Sequence, residues 1–121
     1  GYVQSAFWNM DALFTAQDHP AREMHDTLYL KQPPTIELPD SGLVELIKRM
    51  HEAGDDDSDG WGYAWQESEA RRALLRTHTT VNTIRYLAEH PEPPVKVFSV
   101  GPVFRKEAVD STHLPEFIQV E

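Results

Sequence analysis

The sequence predicts an α+β fold with a largely antiparallel sheet flanked by helices, and three observations carry that expectation. Short β-branched and aromatic runs, such as VKVFSV at residues 95–100, recur between segments whose apolar residues keep helical spacing. The C-terminal stretch reads as two alternating strands around a segment rich in turn formers. Finally, 121 residues give room for one domain, whose core would bury roughly two-thirds of the surface that the unfolded chain exposes. Strands interleaved with helices inside one such unit define the class.

In chain order, residues 1–7 read as a strand and 8–19 as an irregular connection. Residues 26–30 (DTLYL) read as a second, short strand. Pro33, Pro34 and Pro39 deny a continuous helix over residues 31–39, because proline lacks the amide hydrogen and its ring clashes with the preceding turn. Asp40 or Ser41 caps the next helix. Its apolar positions Leu43, Val44, Ile47 and Met50 form a core-facing stripe, and Gly54 ends it. After the acidic tract GDDDSDG at residues 54–60, the run GWGYAW pairs or caps, and residues 67–72 form a helical turn. Residues 74–79 are expected as a strand, 81–89 as a helix and 90–94 as a proline-rich connector. The run from residue 95 then continues through Gly101 and Pro102 and delivers Arg105 at a strand end. Residues 117–121 return as its partner. Repeats and low-complexity linkers are absent.

Composition narrows the function classes. With no cysteine, disulfides, thiolate zinc sites and cysteine nucleophiles are excluded. No apolar run approaches the ~20 residues that span a bilayer, and no signal peptide precedes the sequence, so a cytoplasmic protein without a membrane partner is expected. The formal charge of −9 argues against a main platform for nucleic-acid phosphates. With only 11 basic residues, the acidity is read as adaptation to high salt, where carboxylates retain hydration; an ordinary solvated surface is the other reading. The tract GDDDSDG is dense in carboxylates but lacks the final Glu of an EF-hand loop and runs into aromatic residues, so no calcium site is expected. His19, His25, His78 and His113 show no paired spacing of metal ligands.

The chemistry concentrates at the end of the chain. On a strand of period two, Phe117, Gln119 and Glu121 share one face, with Arg105 and Glu107 nearby on the partner strand. An Arg can bridge a phosphate and a carboxylate with two parallel bonds, and a Phe face can hold a purine. Acidic groups at the far end suit an ammonium. The set fits adenylate formation, although an Arg- and Glu-rich hairpin with one aromatic is also the ordinary composition of a solvated sheet edge.

The run VFRKEAVDSTHLPEFIQVE, residues 103–121, resembles the second signature motif of class II aminoacyl-tRNA synthetases, in the form carried by phenylalanyl-tRNA synthetase α subunits. Two upstream segments agree. FWNMDALFTAQDHPAREMHDTLYL, residues 7–30, is similar to the FWNFDALF…QDHPAR…DTF segment of that family, and LLRTHTT, residues 74–80, to its LRTHT strand. The archaeal and eukaryal branch is closer than the bacterial one. The resemblance implies a class II catalytic core over residues 1–121, from the tail of the first motif through the second. The third motif, with its further ATP-binding Arg, is absent, so these residues alone are not expected to catalyse. Pro102, Lys106 and Ile118 depart from the usual Arg, Asn and His; Ile118 points away from Gln119 on a strand, which makes it a packing change.

Carried over residue by residue, the resemblance makes Arg105 the catalytic group, binding the α-phosphate of ATP and the amino-acid carboxylate. Glu107, His113 and Phe117 would complete the ATP site, with Phe117 stacked on adenine. His78, Thr80, Gln119, Glu121 and Tyr29 would surround the amino acid, the polar four near its ammonium. His19 and Arg22 would fix the architecture. Implied cofactors are ATP and Mg²⁺. Implied partners are phenylalanine, tRNA(Phe) and a β subunit, in a heterotetramer of two α and two β chains. The related phosphoseryl-tRNA synthetases are an alternative that would need more basic groups than Arg71, Arg72 and Arg76 near LRTHTT. A non-catalytic module that binds an amino acid or a partner is another.

Overall fold

The computed structural model of the chain describes residues 2–22, 27–105 and 116–121. Its architecture starts from a capping serine. Strand β1 (Val3–Ser5) gives way to helix α1 (Ala6–Asn9), and Ser5 Oγ accepts from the Trp8 N–H at 3.4 Å. The strand expected to reach Phe7 therefore stops two residues early: a serine side chain satisfies a free amide of the first helical turn, and the backbone turns with it. Phe7 is then fully buried, with the Trp8 ring edge-on at 5.2 Å. A 3-10 turn, Asp11–Leu13, lies within residues 8–19, the stretch expected to be irregular, and a second, Pro20–Arg22, follows it.

Strand β2 (Ala73–Leu75) pairs antiparallel with β1, Val3 opposite Leu75 and Ser5 opposite Ala73. Its other edge is covered by a segment running from Leu28 to Ile36, tied by Leu30 N–H to Ala73 O at 2.9 Å and Ile36 N–H to Arg71 O at 2.8 Å. The strand expected over residues 26–30 appears within the described residues only as a bridge at Tyr29 to Leu74. No helix forms over residues 31–39, as the three prolines require.

Helix α2 (Ser41–Glu52) begins at Asp40, whose carboxylate accepts the Gly42 N–H at 2.6 Å. Gly54 follows it at φ +74°, where an added Cβ would meet the Ser58 carbonyl oxygen at 1.8 Å. Val44 and Ile47 enter the main core with Phe7, Ala12, Trp65 and Ala70, Leu43 packs against it, and Met50 is half-buried. Burial of such aliphatic side chains contributes about 1.5–3 kcal/mol each. The GWGYAW run caps rather than pairs: Trp61 N–H donates to His51 O at 2.7 Å and Trp65 N–H to the Glu52 carboxylate at 3.0 Å, closing the end of α2. Helix α3 (Glu67–Ala70) is the expected short turn, and helix α4 (Thr80–Glu89) follows the Thr77–Thr79 segment.

The C-terminal hairpin forms in the expected sense. Strand β3 (Val100–Phe104) pairs antiparallel with β4 (Glu116–Val120), Gly101 opposite Gln119 and Val103 opposite Phe117. Ser99 and Glu121 exchange both backbone bonds, at 2.8 and 2.9 Å. Pairs alternate along such a ladder, so Pro102 turns its missing N–H away from β4. Its carbonyl faces Arg76, which donates Nε at 2.8 Å, and Phe104 N–H reaches Arg76 O at 2.9 Å. Two strand expectations shorten. Residues 95–98 have strand composition but no strand beside them among the described residues, and β-propensity without a ladder does not make a strand. Arg76 N–H still reaches Tyr2 O at 2.9 Å, and residues 77–79 leave β2 because their polar groups are drawn elsewhere, into the site below. No described helix is long and apolar enough to cross a membrane. The α+β class with antiparallel pairing is what the chain adopts.

Candidate active site

Asn9, at the end of α1, organises the segment Thr77–Thr80. Its Nδ2 donates to Thr77 Oγ1 at 2.9 Å, its Oδ1 accepts the Thr77 N–H at 3.1 Å, and its backbone carbonyl accepts from His78 Nε2 at 2.8 Å. Because a carbonyl only accepts, His78 carries its proton on Nε2, and Nδ1 is left as a lone-pair acceptor. That Nδ1 is buried without a hydrogen-bond partner among the described residues. Burial lowers the His78 pKa below its usual 6.5; the Arg105 charge adds to that, while the Asn9 bond and the Glu121 charge oppose it.

The sign of the resulting pH dependence follows directly. Below about pH 6.5 the unfolded chain takes up a proton at His78 that the folded chain resists, so stability falls as pH drops from there toward the lowered folded value. Above 6.5 the contribution is complete. We expect denaturant midpoints of His78→Gln, which keeps a donor for Asn9 O, to fall less steeply than wild type across that stretch. Parallel curves for the two proteins would show that His78 does not titrate in this way.

The first turn of α4 receives the face of β4. Thr79 N–H and Oγ1 both point at Gln119 Oε1, at 2.7 and 3.3 Å. A backbone N–H can only donate, which fixes the amide orientation: Oε1 faces the helix and Nε2 is free among the described residues. Thr80 Oγ1 donates to Glu121 Oε1, and Thr83 Oγ1 to Glu121 Oε2 at 3.0 Å. Along the same strand face, Phe117 lies beneath Arg105, whose guanidinium carbon sits 5.4 Å from the ring centroid. Arg105 spends Nε on Thr77 O at 3.0 Å, and its remaining N–H groups have no partner among the described residues. Arg105, Thr77 and His78 line a cleft of about 300 Å³ whose far wall is Asn9, Met10, Thr15, Ala21 and Thr27. A cation, an aromatic plane, an amide, a carboxylate and a neutral imidazole thus follow one another over a single hairpin face and helix turn.

That far wall stands on a buried polar network. Asp11, fully buried, accepts from Trp65 Nε1 at 2.8 Å and Gln17 Nε2 at 3.3 Å, and pairs with Arg22 at 3.0 Å. Arg22 also ties down the Thr15 and Ala16 carbonyls, at 2.6 and 3.0 Å. Phe14 takes a left-handed φ of 62° to bring that turn round. Arg22 is therefore an architectural group in the described geometry, and His19 Nδ1 accepts the Ala21 N–H at 3.1 Å in the same turn. His51 bridges Asp11 O at 2.8 Å and Tyr63 OH at 2.6 Å.

Of the residues singled out from the sequence, Arg105, Phe117, Gln119, Glu121, His78 and Thr80 are brought together. Tyr29 is set back from the cleft: it packs against the cluster of Ala6, Met10 and Leu74, donates its hydroxyl to Arg22 O at 2.7 Å and lies under the Arg72 guanidinium at 3.7 Å. Glu107, His113 and His25 lie outside the described residues. Asn9, Thr77, Thr79 and Thr83 were not anticipated as site residues. Asn9 stood in the middle of the FWNMDALF segment and the threonines within or just after LLRTHTT, but their bonds join positions far apart in sequence. Among the described residues no three His, Asp or Glu side chains gather as a metal would require.

Comparison with known proteins places these observations. The family described as the class II core domain (F) of tRNA synthetases matches residues 1–121. The phenylalanine–tRNA ligase α subunit of Methanopyrus kandleri is 57% identical over 98% of the chain and 23% of its own length. Those of Thermoplasma volcanium and Archaeoglobus fulgidus are each 54% identical over 99% of the chain and 25% of theirs. The chain spans about a quarter of the length of the curated relatives it matches.

Proposed function

We propose that this chain, which belongs to the class II tRNA synthetase core domain (F) family, carries the ATP- and amino-acid-binding hairpin of a phenylalanine–tRNA ligase α subunit. The observation that carries the reading is the shared face of Arg105, Phe117, Gln119 and Glu121 against the first turn of α4. In the reaction, a carboxylate oxygen of phenylalanine attacks the α-phosphorus of ATP, a bond to that phosphorus forms, and the bond to the bridging oxygen breaks with pyrophosphate leaving. The carboxylate is ionised at neutral pH, so no protein base is needed. Arg105, with N–H groups left over from Thr77, holds the two anions together and neutralises the charge that develops between them. Phe117 offers its exposed face to the adenine ring, with Glu107 and His113 completing the nucleotide site. Magnesium would arrive on the nucleotide phosphates and supply further charge neutralisation.

The ammonium falls chiefly to Glu121. Gln119 Oε1 already accepts two bonds from Thr79 and contributes less, while Thr80, having donated its one hydroxyl hydrogen to Glu121, presents lone pairs. His78, which lines the cleft, completes the same wall. Tyr29 supports the amino-acid side through the cluster of Ala6, Met10 and Leu74, of which Met10 lines the cleft. Transfer to tRNA(Phe), a β subunit in an assembly of two α and two β chains, and action in the cytoplasm complete the proposal.

The test is phenylalanine-dependent exchange of pyrophosphate into ATP, with these 121 residues carried in a chain of the relatives' full length and a β subunit present. Exchange with phenylalanine and not with phosphoserine is expected. Well-folded protein that exchanges with no amino acid would overturn the ligase reading in favour of a binding module.

A further inference from the structure

The carboxylate of Glu121 is gripped at both oxygens before any substrate arrives. Thr80 Oγ1 holds Oε1, and Thr83 Oγ1, three residues further along α4, holds Oε2 at 3.0 Å. Positions three apart on a helix lie on one side, so two hydroxyls can flank one carboxylate. Two bonded oxygens fix the plane of the group as well as its position, whereas one bond would leave it free to rotate. A carboxylate has about four lone-pair sites; two are taken here, and the others are left in a defined direction. The neighbouring Gln119 is fixed by Thr79 of the same turn.

We infer that Thr83 is a positioning residue for amino-acid recognition, acting through Glu121 and without touching substrate itself. The inference rests on the ligase reading above. Thr83 holds Oε2 while Thr80 holds Oε1, so Thr83 acts on the ammonium only through the orientation it gives the carboxylate. The Thr83 contact is to the ammonium-binding carboxylate and to neither Arg105 nor Phe117, and its loss therefore acts on one substrate and spares the other.

The experiment compares Thr83→Val, similar in shape but without the hydroxyl, and Thr83→Ser, which restores it, in the full-length subunit with its β partner. The readout is the KM for phenylalanine and for ATP in pyrophosphate exchange. We expect Thr83→Val to raise the KM for phenylalanine about tenfold, with the KM for ATP and kcat at saturating phenylalanine within about twofold of wild type. Thr83→Ser should return the phenylalanine KM to near the wild-type value. An unchanged phenylalanine KM in Thr83→Val, equal rises for both substrates, or no rescue by serine would overturn the inference while wild-type exchange still upheld the ligase reading. Absence of wild-type exchange would remove both together.

Discussion

Replacing Arg105 with alanine is expected to cut phenylalanine-dependent pyrophosphate exchange by about 100- to 1,000-fold, the range found when a preorganised donor to developing charge is removed. The expectation rests on how little of Arg105 the fold uses. Among the described residues only Nε is bonded, at Thr77 O, and the Phe117 contact at 5.4 Å is a weak cation–π pair. The folded chain should therefore lose no more than about 1–2 kcal/mol. Activity and stability separate, which makes the variant informative. Arg105→Lys keeps the charge but not the planar fork that spans a phosphate and a carboxylate, and it should recover only a minor part of the rate. A lysine variant equal to wild type would mean that charge alone suffices; an alanine variant with near-normal exchange would remove Arg105 from the chemistry.

The second large effect concerns stability. Asp11→Ala is expected to destabilise the chain by about 3–5 kcal/mol, the usual cost of breaking a buried ion pair from one side. Arg22, 6% exposed, would lose its counter-ion and Trp65 Nε1 its acceptor, while Gln17 Nε2 would keep only Gln66 O. Against a total stability of about 5–15 kcal/mol for an ordinary domain, that loss is severe. Urea midpoints of the single variant and of a double variant, Asp11→Leu with Arg22→Met, separate the causes. The double variant removes both charges and should lie closer to wild type than Asp11→Ala does. A single variant within about 1 kcal/mol of wild type would show that the network contributes little.

The sequence made some of this legible and hid the rest for physical reasons. The hairpin could be read because period-two alternation is a local property: once Gly101 and Pro102 were accepted inside a strand, the face shared by Phe117, Gln119 and Glu121 followed. Asp40 and Gly54 were equally readable, since a cap and a left-handed stop depend on neighbours in sequence. The capping role of Ser5 is local too, but the strand-like residues before it obscured it. Residues 77–79 looked like a strand continuing β2, yet Asn9, 68 residues before Thr77, claims the polar groups of Thr77 and His78, and Gln119 those of Thr79. Likewise the Asp11 to Trp65 bond spans 54 positions, and no window of sequence contains both ends. The resemblance of FWNMDALF and LLRTHTT to one family pointed to both segments without saying that one holds the other.

The reach of those bonds bears on the order in which the molecule assembles. Thr77 meets Asn9 across 68 positions and Glu121 meets Thr80 across 41, so each closure must overcome the entropy of a long loop before it is stabilised by its contacts. Helix α2, bounded by its own neighbours, can form early on a growing chain. The candidate site, stitched from α1, the Thr77–Thr83 stretch and the residues up to Glu121, forms only after these long closures, and a nascent chain acquires it only once Glu121 has emerged.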